Sequence, residues 1–342
     1  MVRTAEASTD AKQRKTGPMS RKEVTEMGNQ QHQVDPTSRR SFLQRCSAAA
    51  VAGMAAPAAA SQADDATPEP EPLPMISLGD HRISRMVVGS NTVLGYSYMG
   101  PHADQHMREY FTIERTVRFL RDCEQTGINA FQFAVRDDIL AALAECDRQG
   151  SRMKRICLHS DPKTVAQVVQ QARPIAMVHH GGATDRLFAQ GRADQVRDYV
   201  KAVQDAGVLA GVSAHHPDCI KRVADEGWPV DLFMTCFYFL TRSLVPDRQA
   251  EVADLRTLEI AYPFFKDDPQ VMTQVMRQVD QPCLAFKILG SGRLCTGQAS
   301  VRAAFQFAFE NIKPIDGVII GMYPRFFDEI RANAEYTRQL GS

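Results

Sequence analysis

Eight short apolar runs alternate with eight amphipathic stretches over the last roughly 270 residues, and this rhythm constrains the fold more than any single motif. The strand candidates are Met86–Val88, Ala130–Phe133, Ile156–Leu158, Ala176–His179, Leu209–Val212, Leu232–Phe237, Cys283–Ile288 and Val318–Ile320. The helix candidates are Ile113–Gln125, Asp138–Arg148, Pro162–Ala172, Asp194–Ala206, Pro217–Glu226, Pro269–Val279, Val301–Glu310 and Arg325–Gln339. Several open at Asp-Pro or Thr, and Gly127, Gly150, Gly207 and Gly227 stand where a left-handed C-cap is needed. Runs such as Cys-Leu-Ala-Phe-Lys-Ile are apolar on both faces, as buried parallel strands are. The pattern predicts an α/β fold, a (β/α)8 TIM barrel. An open doubly wound sheet is the alternative, but no GxGxxG turn follows the first strand. Residues Ile76–Ile83 read as an N-terminal β-hairpin around Gly79-Asp80. Leu244–Lys266 breaks the rhythm and reads as an inserted loop over the active face.

The N-terminus reads differently. Ser38-Arg39-Arg40-Ser41-Phe42-Leu43-Gln44 precedes a small apolar run, Ala48–Met54, and then small residues at Ala58–Ala63. Paired arginines, a Phe-Leu pair and this run resemble a bacterial twin-arginine export signal. That resemblance implies a periplasmic or otherwise exported protein that crosses already folded, with the twin-arginine translocation machinery as partner. Residues 1–63 are thus a signal region, with Met27 as an alternative start. Residues 64–74 alternate Pro and Glu and read as an extended linker, and the barrel occupies 75–342.

Composition narrows the partners. Lys plus Arg and Asp plus Glu are 40 each, so no basic surface for nucleic acid is indicated. No later apolar run reaches 18 residues, which predicts no stable membrane span in the mature form. Cys46 lies in the signal region; the other cysteines read mostly as buried thiols.

In a parallel barrel, chemistry belongs at the C-terminal ends of strands. Five of the nine histidines fall there: His159, the pair His179-His180, and the pair His215-His216. Strand side chains alternate, so one of each pair faces away from the axis. His159, His179 and His215 are the expected inward set. Gln132, Tyr238 and Lys287 share the same mouth, with Asn91 extending the wall. Three chemistries fit this set. His159, His179 and His215, with Cys236, have ligand types suited to a zinc-like metal. His179 suits a general acid beside a carbonyl or hydroxyl. Lys287 suits a Schiff base, or a phosphate-binding or ion-paired cation.

The order of segments also resembles the aldo/keto reductases. Ile83-Ser84-Arg85-Met86-Val87-Val88-Gly89 resembles their opening strand. Thr126-Gly127-Ile128-Asn129-Ala130-Phe131 resembles "x-G-I-N-x-F", and Gly211-Val212-Ser213 resembles "G-V-S". Cys236–Arg242, Gly290–Leu294, and Val318–Gly321 with Asn333 follow in the family's order. The resemblance implies a barrel oxidoreductase fold with NADP(H), and a polar carbonyl- or sugar-like small-molecule substrate. It implies cofactor contacts from Ser213, Gly290, Ser291, Gly292, Arg325 and Asn333. Of the family's catalytic Asp, Tyr, Lys and His, only the histidine carries over, onto His179. Gln132, Asp137 and His159 stand at the other three places. Ala214 and Thr235 replace the amides that hold the nicotinamide, and Glu329 opposes a 2′-phosphate. The expected function is an exported, aldo/keto-reductase-like enzyme lacking the usual catalytic trio, with weak or absent NADPH binding. The alternatives are a metal-dependent hydrolase or lyase on the histidine cluster, and a non-catalytic ligand-binding barrel.

Overall fold

The structure is a computed structural model and describes residues 72–242 and 262–342. The expected signal region, most of the expected linker, and residues 244–261 of the expected inserted loop lie outside the described residues. The chain joins the barrel slightly before Met75. Leu73 is buried against Gly127, and the Pro74 carbonyl accepts the Arg85 N–H at 2.7 Å.

Strands β1 (Met75–Leu78) and β2 (His81–Ser84) form the antiparallel hairpin, turning at Gly79 with φ +52. Eight parallel strands then close the barrel: β3 (Met86–Gly89), β4 (Ala130–Ala134), β5 (Lys154–His159), β6 (Ala176–His179), β7 (Leu209–Ala214), β8 (Leu232–Cys236), β9 (Cys283–Phe286) and β10 (Gly317–Gly321). β10 pairs with β3 in register from Val318–Met86 to Gly321–Gly89, which completes the ring.

Two packed layers follow from side-chain alternation. Val87, Ala130, Ile156, Ala176, Val178, Leu232, Met234, Leu284 and Ile319 fill the inside of the barrel. Ile76, Leu78 and Ile83 of the hairpin join this inner cluster and plug its bottom. The opposite side chains, such as Phe131, Phe133, Met177, Val212 and Phe233, pack under the helices. The interior is tight at Gly211. A Cβ there would lie 2.9 Å from Val178 Cγ2 and 3.0 Å from Leu232 Cγ, so only glycine fits between these strands.

The helices form in chain order as α1 (Asn91–Leu94), α2 (Pro101–Tyr110), α3 (Ile113–Gln125), α4 (Asp137–Arg148), α5 (Val165–Ala172), α6 (Gly181–Ala189), α7 (Asp194–Asp205), α8 (Pro217–Asp225), α9 (Asp268–Gln278), α10 (Gln298–Asn311) and α11 (Glu329–Leu340). α3 illustrates their logic. Thr112 caps it by accepting the Arg115 N–H, and Val117, Phe119, Leu120 and Cys123 line its buried face. Burying one such large side chain contributes about 1.5–3 kcal/mol.

Three helices were not anticipated: the single-turn α1, α2 and α6. α2 is amphipathic but has no buried residue, so no apolar face announced it. α6 starts at Gly181-Gly182, which reads as a loop; the His180 carbonyl starts it by accepting the Ala183 and Thr184 N–H groups. The last helix begins later than Arg325. Asp328 is its N-cap and accepts the Arg331 N–H at 3.0 Å. Among the described residues no helix is long and apolar enough to cross a membrane. Cys123, Cys146, Cys157, Cys219, Cys236 and Cys283 are free and buried, and Cys295 is free and exposed.

Candidate functional site

The end of β6 decides which histidine reaches the mouth. Ala176 and Val178 belong to the inner cluster and Met177 to the outer one. His179 therefore points outward and His180 toward the mouth, which corrects the expected orientation. His179 Nδ1 is 2.8 Å from Thr184 Oγ1 of α6, and its ring meets Tyr199 of α7 edge-on at 5.0 Å. His159 follows Cys157 into the same outer layer. Its Nε2 is 2.8 Å from Thr164 Oγ1, and its ring lies 6.3 Å from Tyr199. These two histidines pack between strands and helices, away from the axis.

His215 turns inward but is committed to a carboxylate. Its Nδ1 lies 3.0 Å from Asp185 Oδ2. Asp185, on α6, also accepts the backbone N–H groups of His215 and His216 and the Thr241 hydroxyl. Burial alone would raise the Asp185 carboxyl. The His215 imidazole, the His216 N–H and the Thr241 hydroxyl outweigh it and hold the group below its ordinary value. Burial lowers His215, against the raising effect of Asp185 and with help from the Lys287 charge, so its imidazole is neutral at pH 7. The expected metal trio is thus dispersed. Among the described residues no group of three or more His, Cys, Asp or Glu side chains is placed to hold a metal ion.

Two adjoining chambers open at the mouth. The first, of about 530 Å3, is lined by Ser90, Asn91, Asp104, Gln132, Ala134, Leu158, His180 and Tyr262, among others. The second, of about 340 Å3, lies over the ends of β9 and β10 and is lined by Met99, Met107, Phe286, Lys287, Ser291, Gly292, Cys295, Tyr323 and Glu329, among others. Asn91, Tyr96, Tyr98 and Gln132 line both. This shared wall joins α1, β4 and the loop before α2, with His180 on one side and Lys287 on the other.

The electrostatics of the wall are uneven. Partial burial, then the nearby His215 and Lys287, lowers His180, so it is neutral at pH 7. Burial would lower Lys287, but the Cys236 thiol and the Tyr98 hydroxyl outweigh it and the ammonium stays above its ordinary value. Lys287 Nζ sits 4.7 Å from the Tyr98 ring centroid and 4.6 Å from that of Phe286. Asp104 accepts the Ser97 N–H and hydroxyl. Asp104, Tyr98 and Asp185 did not stand out in the sequence, and His180 did so only as the outward partner of His179; their assembly across separate loops marks them.

The remaining expected site residues are scattered. Tyr238 is buried, its ring 4.9 Å from that of Phe264 and its hydroxyl beside Gly290, outside the chambers. Ser213 is buried under α6 beside Gly181, and Asn333 is buried in α11. Arg325 is exposed, 5.5 Å over the Phe326 ring. Only Ser291 and Gly292 of the expected cofactor set line a chamber.

These residues do not fit a nicotinamide dinucleotide. The Gly290 N–H is bonded to the Lys287 carbonyl and the Gly292 N–H to the Leu289 carbonyl, so neither is offered to a pyrophosphate. Glu329 lines the chamber at the start of α11, and its carboxyl accepts the Tyr323 N–H at 2.8 Å. Burial raises that carboxyl, partly countered by this bond. Thr235, at the amide position, is buried with its hydroxyl on Met276 Sδ at 3.2 Å.

No protein-family model matches the sequence, and no curated protein matches it. Solved structures do match. The glycerol dehydrogenase AKR11B4 from Gluconobacter oxydans is 15% identical with a TM-score of 0.40, covering 65% of this chain and 65% of that one. A protein described as 2,5-diketo-D-gluconic acid reductase B is 10% identical with a TM-score of 0.46, covering 79% of this chain and 90% of that one. A truncated 3-deoxy-D-arabino-heptulosonate 7-phosphate synthase from Thermotoga maritima is 13% identical with a TM-score of 0.41, covering 78% of this chain and 91% of that one. The three differ in chemistry; the (β/α)8 barrel of this chain rests on its own closed ring of eight parallel strands.

Proposed function

We propose that the chain is an exported enzyme on an aldo/keto-reductase-like barrel, acting by acid–base chemistry on a polar carbonyl- or sugar-like small molecule. The observation that carries this reading is the shared wall of Asn91, Tyr98 and Gln132, flanked by neutral His180 and cationic Lys287. A neutral imidazole is a competent base. In the proposed step His180 takes a proton from the carbon beside the substrate carbonyl. The electron pair moves onto the carbonyl oxygen, which accepts hydrogen bonds from the Asn91 and Gln132 amides. Return of the proton completes the turnover, and no external reductant is needed.

The test is hydrogen exchange in D2O, followed by NMR at the carbon beside the carbonyl of D-glucose and D-glucuronate. The protein should accelerate exchange over buffer, and His180→Gln should reduce the acceleration by about 100-fold. The rate should rise with pH along a limb below 6.5, since His180 acts unprotonated and titrates below its ordinary value. Sugar binding without exchange would leave a ligand-binding barrel. Tight NADPH binding with carbonyl turnover would restore ordinary reductase chemistry.

Export rests on Arg39-Arg40 and the small residues at Ala58–Ala63. The mature protein is expected to begin between about Ala59 and Asp65. Changing both arginines to lysine should leave full-length protein in the cytoplasm; continued processing of that variant would refute the twin-arginine route.

A further inference from the structure

We propose that Lys287 and Ser291 form a carboxylate subsite, so that the substrate is an acid-bearing sugar or hydroxycarbonyl compound. The inference rests on reading the mouth as a polar-carbonyl site and adds the charge of its ligand.

Lys287 is the only Lys or Arg among the described residues that line either chamber. No Asp or Glu among the described residues forms an ion pair with it; its ammonium rests instead on the rings of Tyr98 and Phe286. The Tyr98 hydroxyl takes one hydrogen bond from the ammonium, and cation–π contact orients the cation without filling its remaining N–H donors. Arg293, on the same loop, is already spent. It donates to the Gly290 and Tyr98 carbonyls and lies 3.8 Å over the Phe264 ring.

The backbone around Lys287 is held in a costly shape. Lys287 has φ 61, Gly290 φ 57, Ser291 φ 51 and Gly292 φ 89, and Tyr98 opposite has φ 59. Left-handed geometry is free for glycine but strained for a lysine, serine or tyrosine. Such strain concentrates where a site needs particular atoms aimed at a ligand. The turn folds the Gly290 and Gly292 N–H groups back on the chain and leaves Ser291 between them. Neither its N–H nor its hydroxyl has a partner among the described residues. One ammonium, one N–H and one hydroxyl suit a single carboxylate.

Charge separates carboxylate from phosphate. Glu329 lines the same chamber as Lys287. One positive and one negative side chain tolerate a monoanion held at the lysine, whereas a phosphate monoester brings nearly two charges toward Glu329.

Three matched sugars test this: D-glucose, D-glucuronate and D-glucose 6-phosphate, titrated calorimetrically against the mature protein. D-glucuronate should bind about tenfold or more tighter than D-glucose, the value of one charged hydrogen bond. Lys287→Met should erase that difference, and Lys287→Arg should keep the preference for the acid. D-glucose 6-phosphate should bind more weakly than D-glucuronate. A preference for D-glucuronate that survives in Lys287→Met overturns the proposal, as does equal binding of D-glucose and D-glucuronate by the parent protein. A preference for the phosphorylated sugar overturns the monoanion assignment. Binding of D-glucose alone would sink the subsite and leave the polar-carbonyl reading standing. Failure of all three to bind the folded protein would end both.

Discussion

Asp185→Ala is expected to cost the barrel about 3–5 kcal/mol at pH 7, because it removes one buried acceptor from several donors at once. The carboxylate is 6% exposed and accepts the His215 N–H at 3.1 Å, the His216 N–H at 3.2 Å and the Thr241 hydroxyl at 2.9 Å, with His215 Nδ1 at 3.0 Å. It thereby ties α6 to the loop after β7 and to the chain leaving β8. Alanine leaves these donors facing a void too enclosed for water to serve them all. The melting temperature should fall by about 10 °C for a domain of this size. Asp185→Asn should cost less, since its amide keeps one acceptor oxygen but turns an NH2 toward the remaining donors. Urea unfolding of both variants measures this, and a loss under about 1 kcal/mol for alanine would contradict it. The effect belongs to neutral pH. Asp185 has a depressed carboxyl in the folded state, so its contribution is complete above its ordinary 3.8 and is lost only as pH falls below that value.

The barrel could be read in the sequence because its strands are buried on both faces and its helices on one, which writes two different periods into the chain. The strand ends could not be read, for the same reason. Ala-Met-Val-His-His carries no polar alternation, so nothing in it says whether His179 or His180 faces inward. Packing decides this: Val178 fits the inner cluster beside Ala176, and Met177 fits the helix layer. Gly290-Ser291-Gly292 misled in another way. Glycines suggested backbone donors for a phosphate, but their left-handed turn sends two of the three N–H groups to carbonyls within the loop. Asp185 was hidden because it lies on a helix that opens with two glycines, and its partners come from β7 and from Thr241, distant in sequence. Lys287 was visible as a strand-end cation. Its setting between Tyr98 and Phe286 depends on the strained loop before α2, which no periodicity records.

His179 is expected to make the protein acid-labile well above the carboxylate range. Its burial, and after that the positive neighbours His180, His159 and Arg186, lower it from 6.5 to about 4. In the unfolded chain it accepts a proton near 6.5; in the folded chain it resists until about pH 4. The unfolded state therefore binds more protons across this window. Stability is complete above 6.5, falls as pH drops toward about 4, and levels off below. The span corresponds to about 3 kcal/mol for this one residue. His179→Leu should remove that slope. It also deletes the bond to Thr184, so some loss at pH 7 is expected, on the order of 1 kcal/mol. The Thr184 hydroxyl keeps its bond to the His180 carbonyl at 3.2 Å. His159, His180 and His215 are lowered too, so the parent slope includes their protons, and the variant should differ from it by one. Urea unfolding at pH 7 and pH 4.5 measures the difference directly. The parent should lose more stability than His179→Leu between the two. Equal losses would mean that His179 takes its proton as readily in the folded barrel as in the open chain, and that the layer between β6, Thr184 and Tyr199 admits a charge.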